Sequence, residues 1–287
     1  MRRIKHILFP VDFSERMCGS APFVNAMASR FGARVTLLGV VQPPRYMEAQ
    51  AAYSQVVVTD EELKRDLQLR LNGALQGELA GVPVEAIAKV GEPAEVITAF
   101  AHREGVDLIM MPTHGYGPFR QFLLGSVTAK VLHDAHCPVW TGAHVAETSG
   151  LGACCQTAMC ALDGTPAGIP VLQWAVEFAS AMGARLRLVH VIPSLPCGLE
   201  RQEYRELERQ LRDRARESIE KIGRQAGIKL PVCIAAGDIA TSVREEARGH
   251  ATDLLIIGRG AICQKLGRLR AHAYGIIREA PCPVISV

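Results

Sequence analysis

The chain is an imperfect repeat of itself, and this constrains its fold more than any other feature. Ala28–Val40 (ASRFGARVTLLGV) aligns with Ala179–Val191 (ASAMGARLRLVHV) at an offset of 151, with seven identities in thirteen positions. The same offset carries Asp12 onto Asp163. An offset of 146 pairs Gly91 with Gly237 and Asp107-Leu-Ile with Asp253-Leu-Leu, and an offset of 145 pairs Cys137-Pro-Val with Cys282-Pro-Val. Self-similarity in constant order over 287 residues is the mark of a tandem duplication, with small deletions in the second copy. The expected domains are 1–145 and 155–287, each long enough to bury a core of its own, with the joint in the small-residue stretch 141–158.

Within each copy, short apolar runs alternate with helical patterns, as in a doubly wound α/β domain with a mostly parallel sheet covered on both faces. In the first copy, strands are expected at Ile4–Phe9, Val35–Val41, Val84–Val90, Leu108–Met111 and Pro138–Thr141. Helices are expected from a Ser14 cap to Phe31, from Asp60 to about Leu79, and over Ala94–Arg103 and Ser126–Asp134. Tyr46–Val58 has no clear period and reads as a loop. In the second copy, Leu199–Ala226 is a long helix whose Arg and Glu residues at helical pair spacing form a solvated face.

Charge narrows the partners. The chain carries 32 basic and 29 acidic residues for a net charge of +3, too balanced for nucleic acid to be the default ligand. Residues 1–145 hold 14 of each sign, so the excess lies in the second copy, where Arg259, Lys265, Arg268, Arg270 and Arg278 follow one another without an intervening carboxylate. Nine cysteines form no CxxC pair and no zinc spacing with His, and reduced thiols are expected even at Cys154-Cys155. No apolar stretch is long enough for a membrane span, and Met1-Arg-Arg-Ile-Lys-His runs straight into a strand without an apolar leader. A cytoplasmic location away from membranes is therefore expected.

In a doubly wound sheet, ligands bind beyond the carboxyl ends of the strands, where the strand order reverses. Two loops of the first copy suit that role. The first strand ends in Pro10-Val11-Asp12-Phe-Ser14, which places a carboxylate at its carboxyl end. The fourth ends in Met111-Pro112-Thr-His114-Gly115, followed by Gly125-Ser126-Val127-Thr128 at a helix start. Glycines admit a close anion, and a helix N-terminus offers N–H donors and the positive end of the dipole. Together the loops suit a nucleotide, with the carboxylate on ribose hydroxyls and the Gly-Ser end on phosphates. Singly, the same residues would serve as an ordinary turn, helix caps and an exposed loop histidine.

Thr113-His-Gly115, nine residues, Gly125-Ser126-Val127 and then Cys137-Pro-Val resemble the Gly-x2-Gly-x9-Gly-Ser/Thr signature and closing strand of the universal stress protein (UspA) family. Pro10-Val-Asp12-Phe-Ser14 and Gly91-Glu-Pro93 match two further turns of that family, and the resemblance spans both copies. It implies a five-stranded parallel sheet in each domain, in the order 3-2-1-4-5, and association of domains within the chain and in a possible homodimer. It also implies ATP held by Pro10, Val11, Asp12, Val40, Met111, Pro112, His114, Gly115, Gly125, Ser126, Val127 and Thr128. Adenine would lie at Val40 and ribose at Asp12, with Mg²⁺ bridging phosphates rather than held by a protein metal site. One departure is visible: Pro112 stands where the first signature glycine belongs and has no N–H to give.

The second copy keeps Asp163, Val191 and Gly258, but Arg270-Ala271 replaces the Gly-Ser turn, so it reads as degenerate for ATP. Its arginines either clamp a phosphate or form ion pairs, the second being the commoner use of large cations in a loop. The leading expectation is a stress-response protein with ATP as a regulatory ligand and no catalytic residues of its own. The alternatives are a nucleotide-free scaffold and a slow ATP hydrolase, the latter disfavoured by the lack of an acid–base pair or arginine finger.

Overall fold

The computed structural model describes residues 4–42, 59–113, 124–142, 155–195, 201–259 and 269–287. The chain divides into two compact units, Arg3–Trp140 and one that runs from Thr141 to Val287. The first holds strands β1 (His6–Val11), β2 (Arg34–Val41), β3 (Val84–Val90), β4 (Leu108–Pro112) and the start of β5 (Val139–Gly142), in the order β3-β2-β1-β4-β5. Helices α1 (Glu15–Phe31), α2 (Asp60–Asn72), α3 (Pro93–Arg103) and α4 (Ser126–Asp134) connect them. The second unit repeats the plan. Its strands β6 (Thr157–Ala161), β7 (Arg185–Ile192), β8 (Val232–Ala236), β9 (Leu254–Ile257) and β10 (Val284–Ser286) lie in the order β8-β7-β6-β9-β10. Helices α5 (Gly168–Met182), α6 (Arg201–Ala226), α7 (Ile239–Gly249) and α8 (Leu269–Glu279) complete it. The central pairs β1–β2 and β1–β4 are parallel, as are β6–β7 and β6–β9.

The central strands read as unbroken apolar runs because both their faces are covered. All six residues of β1, HILFPV, are buried, as are all four of β9, LLII. The helices begin and end where the chain supplies the chemistry. Ser14 Oγ accepts from Met17 N at the start of α1, and Gly32 ends it in the left-handed region at φ 63°. Gly183 ends α5 in the same way at φ 72°.

Two pairs of repeated residues set the register. Asp107 Oδ2 accepts from the backbone N–H groups of Lys5 and His6, tying the entrance of β4 to that of β1. Asp253 Oδ2 accepts in the same way from Gln156 and Thr157. Gly91 and Gly237 follow β3 and β8 at φ 146° and 143°, and each donates its N–H to the end of the neighbouring strand, at Val41 O and Ile192 O. A Cβ on either would come within 2.9 Å of a side chain of the next helix, Val96 Cγ2 or Ser242 Oγ.

One helix departs from expectation. Rather than reaching Leu79, α2 stops at Asn72 with Gly73 as its C-cap, and Leu75 then takes a left-handed φ of 58°. The turns that follow still bury Leu75 and Leu79, so the apolar period that suggested a longer helix is satisfied by a different backbone. The N-cap of α2 is Thr59, in a reciprocal capping box with Glu62, and those bonds lower the Glu62 carboxyl pKa. The loop at 46–58 and most of the joint between the copies fall outside the described residues.

The charged helix α6 is solvated on most of its surface and buries Ala215, Ile219 and Ile222. Arg212 is an exception to the solvated reading: it pairs with Glu208 across one helical turn and also donates to the carbonyl of Ile234 in β8. Among the described residues the cysteines are free thiols. Burial pushes Cys155, Cys160 and Cys282 up to about 12, which keeps them protonated and unreactive.

Candidate functional site

The strand order reverses between β1 and β4, so the loops leaving these two strands diverge and open a crevice. A cavity of about 490 Å³ occupies it, within the range of small-molecule sites. The first unit brings Pro10, Val11, Asp12, Val40, Met111, Pro112, Gly125, Ser126, Val127 and Thr128 together around this cavity. His114 and Gly115 lie outside the described residues.

Each wall has a local cause. Asp12 follows the last residue of β1. Its Oδ1 accepts from Ser14 N at 2.9 Å, so the carboxylate does cap the turn into α1 as a structural residue would. Among the described residues its Oδ2 has no protein partner, and the side chain is exposed. One oxygen thus holds the loop while the other remains available to a hydroxyl.

At the opposite wall, Gly125 is the N-cap of α4 and has no side chain with which to cap the first turn. Its own N–H donates to Thr113 O at 2.8 Å, and Thr128 Oγ1 donates to Pro112 O at 3.1 Å. These bonds bind α4 to the end of β4 and leave Ser126 and Val127 lining the cavity at the positive end of the helix. Pro112 lacks a donor, but its carbonyl is one of the two that anchor this helix. The site therefore pairs a carboxylate with uncapped amides and a hydroxyl, and it is floored by Val40 and Met111.

Reading motifs missed a third wall. Phe13, Leu67 and Arg70 also line the cavity, the last two from α2. Helix α2 approaches β2 closely because Gly39 has no side chain. A Cβ there would stand 2.8 Å from Leu71 Cδ1 and 3.1 Å from Leu67 Cδ1. The signal was present in the sequence as Gly39 beside Val40, but its meaning depends on which helix crosses it.

The second unit holds a cavity of the same volume, about 490 Å³, at the matching place. Its walls differ. His190 stands where the first copy has Gly39, and its Nδ1 lies 2.7 Å from Leu162 O. No residue of α6 is among the described residues lining this cavity. Arg259 follows Gly258 at the end of β9, while His272 and Ala273 occupy the positions of Val127 and Thr128. The Thr128 hydroxyl bond thus has no counterpart. Asp163 repeats the turn-capping role of Asp12, accepting from the N and Oγ1 of Thr165 through Oδ1. Lys265 and Arg268 lie outside the described residues, as does the side chain of Arg270. Among the described residues, neither unit gathers three or more His, Cys, Asp or Glu side chains able to hold a metal.

Comparison with known proteins agrees with this layout. The family model "Universal stress protein family" matches residues 3–141 and again 155–287. The chain belongs to the universal stress protein family. A universal stress protein of Methanocaldococcus jannaschii is 31% identical over 150 residues, which is 47% of this chain and 92% of that protein. One from Thermus aquaticus is 35% identical over 138 residues, 47% of this chain and 96% of the relative. The crystal structure of a universal stress protein from Archaeoglobus fulgidus matches at TM-score 0.68 and 21% identity, covering 99% of this chain and 96% of that one, a likeness of fold. This universal stress protein therefore carries two tandem domains of the family, with unequal cavities.

Proposed function

We propose that the N-terminal domain binds ATP as a regulatory ligand, with Mg²⁺ bridging its phosphates, and that the protein acts in a cytoplasmic stress response. The supporting observation is the convergence of a carboxylate with one oxygen unengaged among the described residues and a helix N-terminus without a side-chain cap on one apolar-floored cavity at the strand switch point. Adenine is assigned to the floor at Val40 and Met111, ribose hydroxyls to Asp12 Oδ2, and phosphates to the amides and hydroxyl of Gly125-Ser126-Val127. Mg²⁺ would draw its ligands from phosphate and water, since a metal that keeps most of its waters needs few protein donors. The residues present fit such a ligand, with Pro112 removing one amide contact.

Regulatory binding is favoured over hydrolysis because the described lining offers no base positioned by a second group. A nucleotide-free scaffold would keep the cavity empty. Association of the two domains within the chain and of two chains belongs to the same reading; the molar mass from light scattering checks the second.

The deciding experiment is isothermal titration of the full chain with ATP and Mg²⁺. Binding that Gly125→Arg abolishes, and that Asp12→Ala weakens about tenfold, supports the reading, the second effect reflecting loss of a hydrogen bond to a charged group. A flat titration at millimolar ATP overturns it and favours the scaffold.

A further inference from the structure

Phe13 has a backbone that its side chain disfavours. It follows Asp12 with φ at 60°, a left-handed conformation that is uncommon for residues other than glycine and costly for bulky ones. At the same place in the second domain, 151 residues on, stands Gly164, also left-handed at φ 78°. Glycine takes this turn without penalty, so the turn alone does not explain an aromatic residue in the first domain.

The Phe13 ring has a distinct neighbour. The guanidinium carbon of Arg70 lies 4.2 Å from the ring centroid, in cation–π range. Both residues line the N-terminal cavity, and Arg70 reaches it because Gly39 lets α2 sit close to β2. Among the described residues, Asp12 and Arg70 are the only charged side chains on that lining, and Arg70 has no carboxylate partner. The second domain links its loop to its helix in another way, with Ser218 Oγ donating to Gly164 O at 2.8 Å and His190 in the place of Gly39. Strained Phe13, close-packed Gly39 and the Arg70 guanidinium over the ring thus occur together in the domain that keeps the Gly-Ser turn.

A phosphorylated ligand brings several negative charges into a cavity that already holds the Asp12 carboxylate. Neutral amides and a hydroxyl offset this only in part. A guanidinium held over a ring still offers its N–H donors to two oxygens at once.

We propose that Arg70, held at the cavity by the Phe13 ring, is the residue by which the N-terminal domain distinguishes phosphorylated nucleotides from nucleosides. Phe13 is then a positioning residue whose strain is tolerated because it sets Arg70. The proposal rests on the nucleotide reading above and adds the source of its charge selectivity.

The test is calorimetric titration of the full chain with ATP and, separately, with adenosine, for wild type, Arg70→Gln, Arg70→Lys and Phe13→Gly. Arg70→Gln is expected to weaken ATP about ten- to a hundredfold and to leave adenosine within about twofold, the scale of a charge-assisted contact. Arg70→Lys should fall between, keeping the charge without the fork. Phe13→Gly should weaken ATP about fivefold while Tm stays within about 3 °C of wild type, since relief of the turn offsets the lost ring contact. An unchanged ATP affinity in Arg70→Gln overturns the proposal and leaves the nucleotide reading standing. Equal losses for ATP and adenosine also overturn it, showing Arg70 to be structural. A wild type that binds neither ligand overturns the nucleotide reading itself, and the Arg70 proposal with it.

Discussion

His6 is buried in the first strand yet makes three polar contacts. Its Nδ1 lies 3.0 Å from Arg34 Nη2 and 3.4 Å from Glu104 O, and its Nε2 lies 2.8 Å from Thr36 Oγ1. Burial first, and the Arg34 charge second, lower the His6 pKa below its ordinary value. The unfolded chain therefore binds a proton more readily than the folded one. Stability from this residue is complete above the unfolded value near pH 6.5 and declines as pH falls through the lower folded value. We expect Tm to drop on acidification below about pH 6.5, and His6→Gln, which keeps an amide donor for Thr36, to flatten that part of the profile. Thermal melts at a series of pH values measure both. The repeat supplies an internal comparison, since the corresponding residue is Thr157, which does not titrate in this range. Neither the partners of His6 nor the stacking of Phe13 and Arg70 follows from motif spacing, because both join side chains from segments that meet only when the sheet forms.

Among the elements, the repeated aspartates carry more than their spacing suggested. Asp107 was legible only as a member of a repeated Asp-Leu-hydrophobic triplet, whereas in the fold its carboxylate ties the start of β4 to the start of β1, the two strands that bracket the cavity. Asp107→Ala should destabilise the N-terminal unit by about 2 kcal/mol, the scale of hydrogen bonds to a charged group, and Asp253→Ala should do the same in the second unit. Urea melts monitored in each variant would show this as a lower midpoint with an unchanged slope. The strands and most helix boundaries were readable because apolar period, caps and glycines agree locally, as at Ser14 and Gly32. The end of α2 was not, because Leu75 and Leu79 bury equally well from turns as from a helix.

For the whole molecule, two domains of one family carry cavities of equal volume and unequal chemistry. If ATP occupies the first alone, hydrogen exchange should slow at 10–14, 38–42, 66–71 and 124–128 on adding ATP and Mg²⁺, while 161–165, 188–192 and 256–259 keep their rates. Ligand at a hundred times its Kd stabilises the site it occupies by about 2.7 kcal/mol, enough to be read as protection. Slowing at both sets would show that the loss of the Gly-Ser turn in the second copy does not exclude nucleotide. Thiol reagents should leave Cys155, Cys160 and Cys282 unmodified in the folded chain, since burial raises the pKa of each. Among the described residues no helix is long and apolar enough to cross a membrane.

By itself the sequence determined the duplication, the alternation of strands and helices, and the two loops that end β1 and β4. Those properties are written in local patterns and in the comparison of one copy with the other, and an offset can be counted without coordinates. Only the tertiary structure decided which side chains share a cavity and that Arg70 rests on Phe13. Those are contacts between segments distant along the chain. They depend on the reversal of strand order between β1 and β4, which opens the cavity, and on how closely α2 packs on β2, a distance set by the missing side chain of Gly39.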